Sequence, residues 1–247
     1  MPHAALATTA HRPWPLPARP WSLSMEWHDL LFLHWPVDPA LLQHQLPPGL
    51  ELETHDGSAW LGVVPFRMVR TRWRWLPPVP TASNFAELNV RTYVRAGGRS
   101  GVWFFSLDAA SRLAVEGARL GFGLPYFRAG MECRRSGESV AYASERRDRR
   151  GPPAHFQARW TSDGPHATAA PGTLAHFLVE RYAMFARHRG RIVGAEIAHA
   201  PWQVAAVRLD LERLDMTRLL GFDLGLAPAS VLAARPVAVA AWSPQAV

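Results

Sequence analysis

FAELNVRTYVRAGGRSGVWFFSLDAASRLAVEGARLGFGLPYFRAGM, residues 85–131, reads as strand, tight turn, strand, helix and strand in one run. Its first arm alternates. Glu87, Asn89, Arg91 and Tyr93 point one way, and Leu88, Val90, Thr92 and Val94 the other. Gly97, Gly98 and Gly101 supply the turn, where a positive φ is needed. The second arm, Val102 to Leu107, is apolar on both faces: Trp103, Phe105 and Leu107 against Val102 and Phe104. Such a strand is predicted to be covered on both sides. Asp108 is placed to cap a helix beginning near Ala109. That helix carries Leu113 and Leu120 on one stripe, with Val115 nearby, and ends at Gly121 and Gly123. Pro125 starts the next strand.

The flanking sequence continues in strands. Trp27 to Val37 reads as one strand, and Asp38-Pro39 as the cap and first position of a short helix. Leu50 to Thr54 and Ala59 to Arg70 are predicted to form a hairpin around His55-Asp56-Gly57. Pro65 marks an edge or a bulge there, and a bulge would aim Phe66 or Arg67 toward a cavity. Arg72 to Ser83 is a Pro-rich loop with two Trp, readable equally as a lid or as a Trp-anchored surface loop. C-terminal to residue 131, strands are expected at Ser139 to Arg147 and at Ala154 to Thr161, the latter ended by Asp163-Gly164-Pro165. Thr173 caps a helix. A hairpin turns at Gly190, Trp202 to Leu214 is a strand, and Ala238 to Trp242 a last short one. Roughly ten strands and three short helices joined by tight turns favour an α+β chain, mainly antiparallel, closed or nearly closed as a barrel.

Composition narrows the classes. The 247 residues suit one large domain over 25–247, preceded by a Pro-rich tail, 1–24, expected to be flexible. The chain contains no lysine, so all 27 basic residues are Arg, and the net charge is +7. These Arg residues are scattered rather than striped, which argues against nucleic acid as a partner. No secretory leader and no run of about 18 apolar residues is visible, which argues against a membrane and for the cytoplasm. Cys133 is the single cysteine, so no internal disulfide forms. The His residues have no metal-ligand spacing, and neither a phosphate loop nor a dinucleotide fingerprint occurs; no metal and no cofactor is expected. Nothing specifies an oligomeric state.

ELNVRTYV, GVWFFSLDA, the segment Ala118-Arg119 to Met131, ERY at Glu180 to Tyr182 and HAPW at His199 to Trp202 together resemble the YqjF-like family of bacterial proteins. The resemblance runs from about Trp27 to Trp242. It implies the acetoacetate decarboxylase-like superfamily and its barrel. In those decarboxylases a strand acid, a Gly-Arg-Glu segment and Gly-x-Pro-Lys make the site, the lysine forming a Schiff base with a β-keto acid. Here the resemblance places Glu87 at the strand acid, Arg119 at the Arg, and Gly123, Leu124 and Pro125 at Gly-x-Pro. Tyr126 stands where the lysine would, and Leu120 where the second acid would. A guanidinium cannot form a Schiff base, so amine catalysis is excluded at every side chain of this sequence.

Two functional readings remain. In the first, the lumen binds a small carboxylate or carbonyl compound. Glu87 and Tyr126 then do acid–base or hydrogen-bonding work, Arg119 holds the anion, and Asn89, Arg91 and Phe66 line the site. Any reaction is lyase- or isomerase-like. In the second, the barrel persists as a non-catalytic binding or structural protein, the polar face of the Glu87 strand is solvated, Arg119 makes a structural ion pair and Tyr126 is packing.

Overall fold

The computed structural model describes residues 3–247 and all their side chains except those of residues 80, 81 and 219. After a 3-10 turn at Ala4–Leu6 come β1 (Leu23–His28), β2 (Leu30–Val37), α1 (Pro39–Gln43), β3 (Glu51–Leu52), β4 (Ala59–Trp73) and α2 (Pro80–Ser83). Then come β5 (Phe85–Ala96), β6 (Arg99–Ala109), α3 (Arg112–Phe122), β7 (Tyr126–Ser136), β8 (Ser139–Arg146), β9 (His155–Thr168) and α4 (Leu174–Val179). The chain finishes with β10 (Ala183–His188), β11 (Arg191–Ala198), β12 (Gln203–Leu214), β13 (Ser230–Ala234), β14 (Val237–Ala241) and β15 (Gln245–Ala246). The class is α+β and the pairing mainly antiparallel; β10–β6 and β6–β7 are parallel.

Following the ladders from β1 through β14, β11, β10, β6, β7, β8, β9, β12, β13, β2 and β4 returns to β1. β5 pairs with both β4 and β6 and so divides this ring in two. Its two faces meet different cores. Leu88 and Val90 join Leu31, Leu61, Tyr142 and Phe156 on one side. On the other, Tyr93 joins Phe32, Phe66, Phe104 and Tyr126. That double burial is why β5 is almost wholly inaccessible although half of it is polar.

Several local expectations change. The segment expected as one strand, Trp27 to Val37, is two, broken at Asp29, which has φ 51°. Pro65 makes no bulge toward β5. It lies where β4 changes neighbours, from β2, last paired at Val63, to β1, paired at Arg67, so its missing N–H costs little there. β3 pairs with β5 rather than with β4, so the expected hairpin is reduced to a His55–Ser58 bridge. The irregularity of β4 lies against β1 instead, between Val69 and Arg72, and β6 carries a bulge where the register slips between Val90 and Arg91 and leaves Phe105 as the extra residue. Phe104 and Leu107, three apart, therefore face the same core.

Asp108 is not a helix cap. β6 runs on to Ala109, Ser111 caps α3 through the Ala114 N–H, and Asp108 is fully buried in a two-pronged pair with Arg146, at 2.7 and 3.0 Å. The buried stripe of α3 is Val115 and Phe122, while Leu113 and Leu120 are exposed. Gly101 adopts no positive φ; a Cβ there would stand 2.5 Å from the Ala183 carbonyl oxygen of β10. β9 passes through Asp163-Gly164-Pro165 and continues to Thr168 because β12 pairs along it, with a register shift near the break. Residues 3–22, part of the 1–24 segment expected as a flexible tail, lie against the ring of strands. Arg12 donates to the Ile197 carbonyl at 2.6 Å and pairs with Glu196, and Trp14 donates to the same carboxylate at 2.8 Å.

Candidate functional site

The polar face of β5 opens on a chamber of about 130 Å³ among β1, β4, β5, β6, β11 and the ends of α3 and α4. Its walls are mostly apolar: Met25, Trp27, Phe66, Phe104, Phe122 and Trp202. Trp27 and Trp202 stack at 5.9 Å between ring centres. Into this surface project Glu87, Asn89, Arg91, Tyr126, Arg181 and His199. Phe66 reaches it because it pairs with Glu87 across β4 and β5.

Glu87 and Tyr126 form one unit. The phenol donates to the Glu87 carboxyl at 2.8 Å, and both side chains are buried. Leu107 of β6 pairs with Tyr126 of β7 in parallel, while Ala109 pairs with Glu87, which brings the two side chains together across β6. From the opposite core the Tyr142 hydroxyl lies 2.7 Å from the Glu87 carbonyl and 3.1 Å from that of Phe66, securing the backbone beneath. Burial pushes the Glu87 carboxyl up to about 8, against the opposing pull of the Tyr126 hydrogen bond. Burial, with the neighbouring carboxyl second, pushes the Tyr126 phenol well above its ordinary range. At neutral pH the unit is thus a carboxylic acid and a phenol, both carrying protons.

Arg91, two positions beyond Asn89 on the same face, is the cation without an acid. It donates to the Leu178 carbonyl at 3.0 Å and lies over the Phe32 ring at 5.2 Å. No ion-pair partner of Arg91 is found among the described residues. Arg181, by contrast, is committed: it pairs with Glu53, donates to the Phe177 carbonyl at 2.8 Å and covers the rings of Phe177 and Tyr93. Tyr93 donates to the Leu178 carbonyl at 2.8 Å, so the network assigns the His34 Nε2–H, 2.6 Å away, as donor to the phenol. Burial, then Arg91, holds His34 well below its ordinary range, hence neutral. Asn89 is buried and its Oδ1 has no hydrogen-bond partner, which leaves an acceptor unsatisfied beside the void.

Arg119 is placed elsewhere. Its guanidinium donates to the Tyr126 carbonyl at 2.7 Å, lies over Phe127 at 5.9 Å, and is absent from the chamber wall. The helix stripe that carries it turns Ala118 and Phe122 inward instead. It braces the strand that presents Tyr126. His199 and Arg181, which the sequence offers only within HAPW and ERY, both reach the chamber. The chain order carried no hint of it, because β10 and β11 fold back beside β6 only through the parallel β10–β6 pairing. His199 is stacked on Tyr182 at 4.7 Å, and its Nδ1 lies 2.8 Å from the Ala200 carbonyl. Burial lowers its pKa, and the nearby carbonyls and Glu180 oppose that. Cys133 lies outside the chamber, and burial pushes its thiol up to about 11, which makes it a poor nucleophile. Among the described residues no three His, Cys, Asp or Glu side chains are grouped to hold a metal ion, and no helix is long and apolar enough to cross a membrane.

Comparison with known proteins fits this architecture. The DUF2071 family, described as an uncharacterized conserved protein, matches residues 24–239. The uncharacterized protein YqjF of Bacillus subtilis (strain 168) is 39% identical over 204 residues, covering 83% of this chain and 84% of its own. Among solved structures, an acetoacetate decarboxylase-like enzyme from Sphingomonas wittichii RW1 superposes with a TM-score of 0.63 at 17% identity, over 93% of this chain and 94% of that one. The enduracididine biosynthesis enzyme MppR, complexed with the condensation product of pyruvate and imidazole 4-carboxaldehyde, gives 0.62 at 14% identity, over 92% and 90%. At such identities these two structures establish the acetoacetate decarboxylase-like fold.

Proposed function

The chain belongs to the DUF2071 family of uncharacterized conserved proteins, and on that premise we propose that its chamber binds a short keto or hydroxy acid. Arg91 is the carboxylate holder, in place of the Arg119 expected from sequence. The observation that carries this reading is a guanidinium with no acid partner on the wall of an apolar chamber. A half-buried guanidinium facing an apolar chamber suits an anion, and a carboxylate meets the guanidinium fork with two parallel hydrogen bonds. Asn89 supplies an acceptor for a ligand hydroxyl or N–H. Glu87 and Tyr126, on the same chamber wall with Glu87 four positions before Arg91 on β5, receive the other end of the molecule. A volume of about 130 Å³ is near that of a cavity holding benzene, which limits the ligand to roughly six to nine non-hydrogen atoms. That a fold neighbour was crystallised with a pyruvate adduct supports a small-acid ligand.

The chemistry that suits the site is proton transfer next to a carbonyl. Glu87 holds its proton near neutral pH in a dry setting, so its carboxyl can give that proton to a carbonyl oxygen while its other oxygen takes the proton leaving the adjacent carbon, which forms the enol and restores the acid. Tyr126 orients that carboxyl. With no lysine in the chain, the electron sink is this hydrogen-bonding pair and not an iminium. The reaction is accordingly isomerase- or lyase-like, and the protein is read as acting in the cytoplasm. A non-catalytic binder is the second reading, favoured by Leu120 standing where the decarboxylases carry their second acid.

The test is the melting temperature against a pool of short keto and hydroxy acids, since binding to the native state alone must raise it. We expect a hit whose affinity falls at least about tenfold in Arg91→Ala and changes less than about twofold in Arg119→Ala. A hit abolished by the Arg119 substitution and indifferent to Arg91 refutes the assignment.

A further inference from the structure

A second concavity, on the outside of the barrel and separate from the chamber, has the opposite character. It is an open groove of about 790 Å³ between the N-terminal segment and the end of β4. Four guanidiniums, Arg19, Arg70, Arg72 and Arg74, line it with a single carboxylate, Glu26. That carboxylate is already occupied, by Arg70 at 2.9 Å and by His28 at 2.9 Å. Arg72 and Arg74 have no ion-pair partner among the described residues. They are held by rings instead. Arg74 sits between Trp21 and Trp75, 4.8 Å from each ring centre, and Arg72 lies 5.7 Å from that of Trp21. A guanidinium clamped by its faces keeps its N–H groups, which lie in its plane, free to bind. Burial, then Arg72, holds the neighbouring His3 below its ordinary range, so the groove's charge is carried by Arg.

We propose that this groove is a binding site for a phosphorylated ligand carrying a flat ring, represented by a free nucleotide. The two unpaired guanidiniums suit phosphate oxygens, which accept from the Arg fork in pairs. Trp75 is 78% exposed, an unusual state for the largest apolar side chain, and offers a stacking face beside Arg74. The volume lies in the range of small-molecule clefts and is several times that of the chamber. The inference does not rest on the reading of the chamber.

Calorimetric titration of the full chain with ADP, adenosine and pyrophosphate at about 150 mM salt tests it. ADP is expected to bind saturably, more tightly than either fragment. Trp75→Ala, at an exposed position, weakens ADP about tenfold, and Arg72→Gln with Arg74→Gln by at least about a hundredfold. Arg91→Ala leaves ADP binding unchanged, which separates this site from the chamber. The proposal fails if ADP shows no saturable heat up to about 1 mM, a limit weaker than useful nucleotide affinity. It also fails if binding survives both sets of substitutions, or if a ten-nucleotide DNA strand displaces ADP at a lower concentration than ADP itself binds, which assigns the groove to nucleic acid.

Discussion

Replacing Glu87 by Gln is expected to stabilise the protein, and increasingly so as pH rises. Below pH 4.5 the carboxyl carries its proton in the folded and the unfolded chain alike, and burial costs nothing extra in charge. Between 4.5 and about 8 the unfolded chain releases that proton while the folded chain keeps it. Across this window folding loses about 1.4 kcal/mol per pH unit, because the unfolded state binds fewer protons. The loss levels off above pH 8, at about 5 kcal/mol for the gap between the two values. Gln does not titrate, nearly matches the neutral acid in shape, and can still accept the Tyr126 hydroxyl through its amide oxygen. The difference in unfolding free energy, Gln minus Glu, should therefore rise from near zero at pH 4 to about 3 kcal/mol at pH 7, roughly 6–12 °C in Tm. Urea unfolding of both proteins from pH 4 to pH 9 measures it. A difference that is flat over this range, or that falls as pH rises, refutes the claim that Glu87 stays protonated in the folded chain. If Glu87 is also the proton donor of the chamber, the same substitution abolishes turnover, so stability and activity move in opposite directions.

Two packing predictions follow from the frame around the chamber. Asp108→Ala strands the Arg146 guanidinium, whose side chain is fully buried, and is expected to cost about 3–5 kcal/mol in urea unfolding. Asp108→Leu combined with Arg146→Met should recover most of that, and a double variant no more stable than the single one argues against charge stranding as the cause. Gly101→Ala drives a Cβ to 2.5 Å from the Ala183 carbonyl oxygen and 2.7 Å from the Phe185 ring, so about 1–3 kcal/mol is lost where β6 meets β10. Gly117→Ala, inside α3 with no atom within 4 Å of the added carbon, should instead stabilise by up to about 1 kcal/mol, and equal effects at the two glycines would overturn the distinction.

The alternation of Glu87, Asn89 and Arg91 was readable because a strand has a period of two whatever covers it. Which face was buried was not, since both turned out to be, and only the crossing of β5 inside the ring decides that. Asp108 illustrates the limit. Its local context, a polar residue ahead of a helical pattern, matches a cap, and its partner Arg146 lies 38 residues on, beyond any local rule. Gly101 reads like a turn glycine because Gly97 and Gly98 stand beside it, but its cause is the close approach of β10, an element more than eighty residues away in the chain. Residues 3–22 are rich in proline, which leaves room for only a 3-10 turn at Ala4–Leu6 but does not prevent docking through Arg12 and Trp14. Resemblance put Arg119 at the site, and the rotation of α3, set by Val115 and Phe122, keeps it off the chamber wall.

The absence of lysine and the protonation of Glu87 are linked physically. An ammonium beside Glu87 would favour its charged form by Coulomb attraction in a setting where water cannot screen it, and the carboxyl would titrate low. Tyr126 offers that carboxyl one hydrogen bond and no charge, so desolvation prevails and the proton stays. A phenol rather than an amine at position 126 therefore has two effects at once: it offers no amine nucleophile and it leaves the neighbouring Glu87 carboxyl as an acid. The chamber guanidinium without an acid partner among the described residues, Arg91, stands farther along the same strand face, where it can hold an anion without quenching Glu87. The proposed function thus assigns binding and proton transfer to different positions along β5. For that reason substitutions at Arg91 should act on ligand affinity and substitutions at Glu87 on the pH dependence.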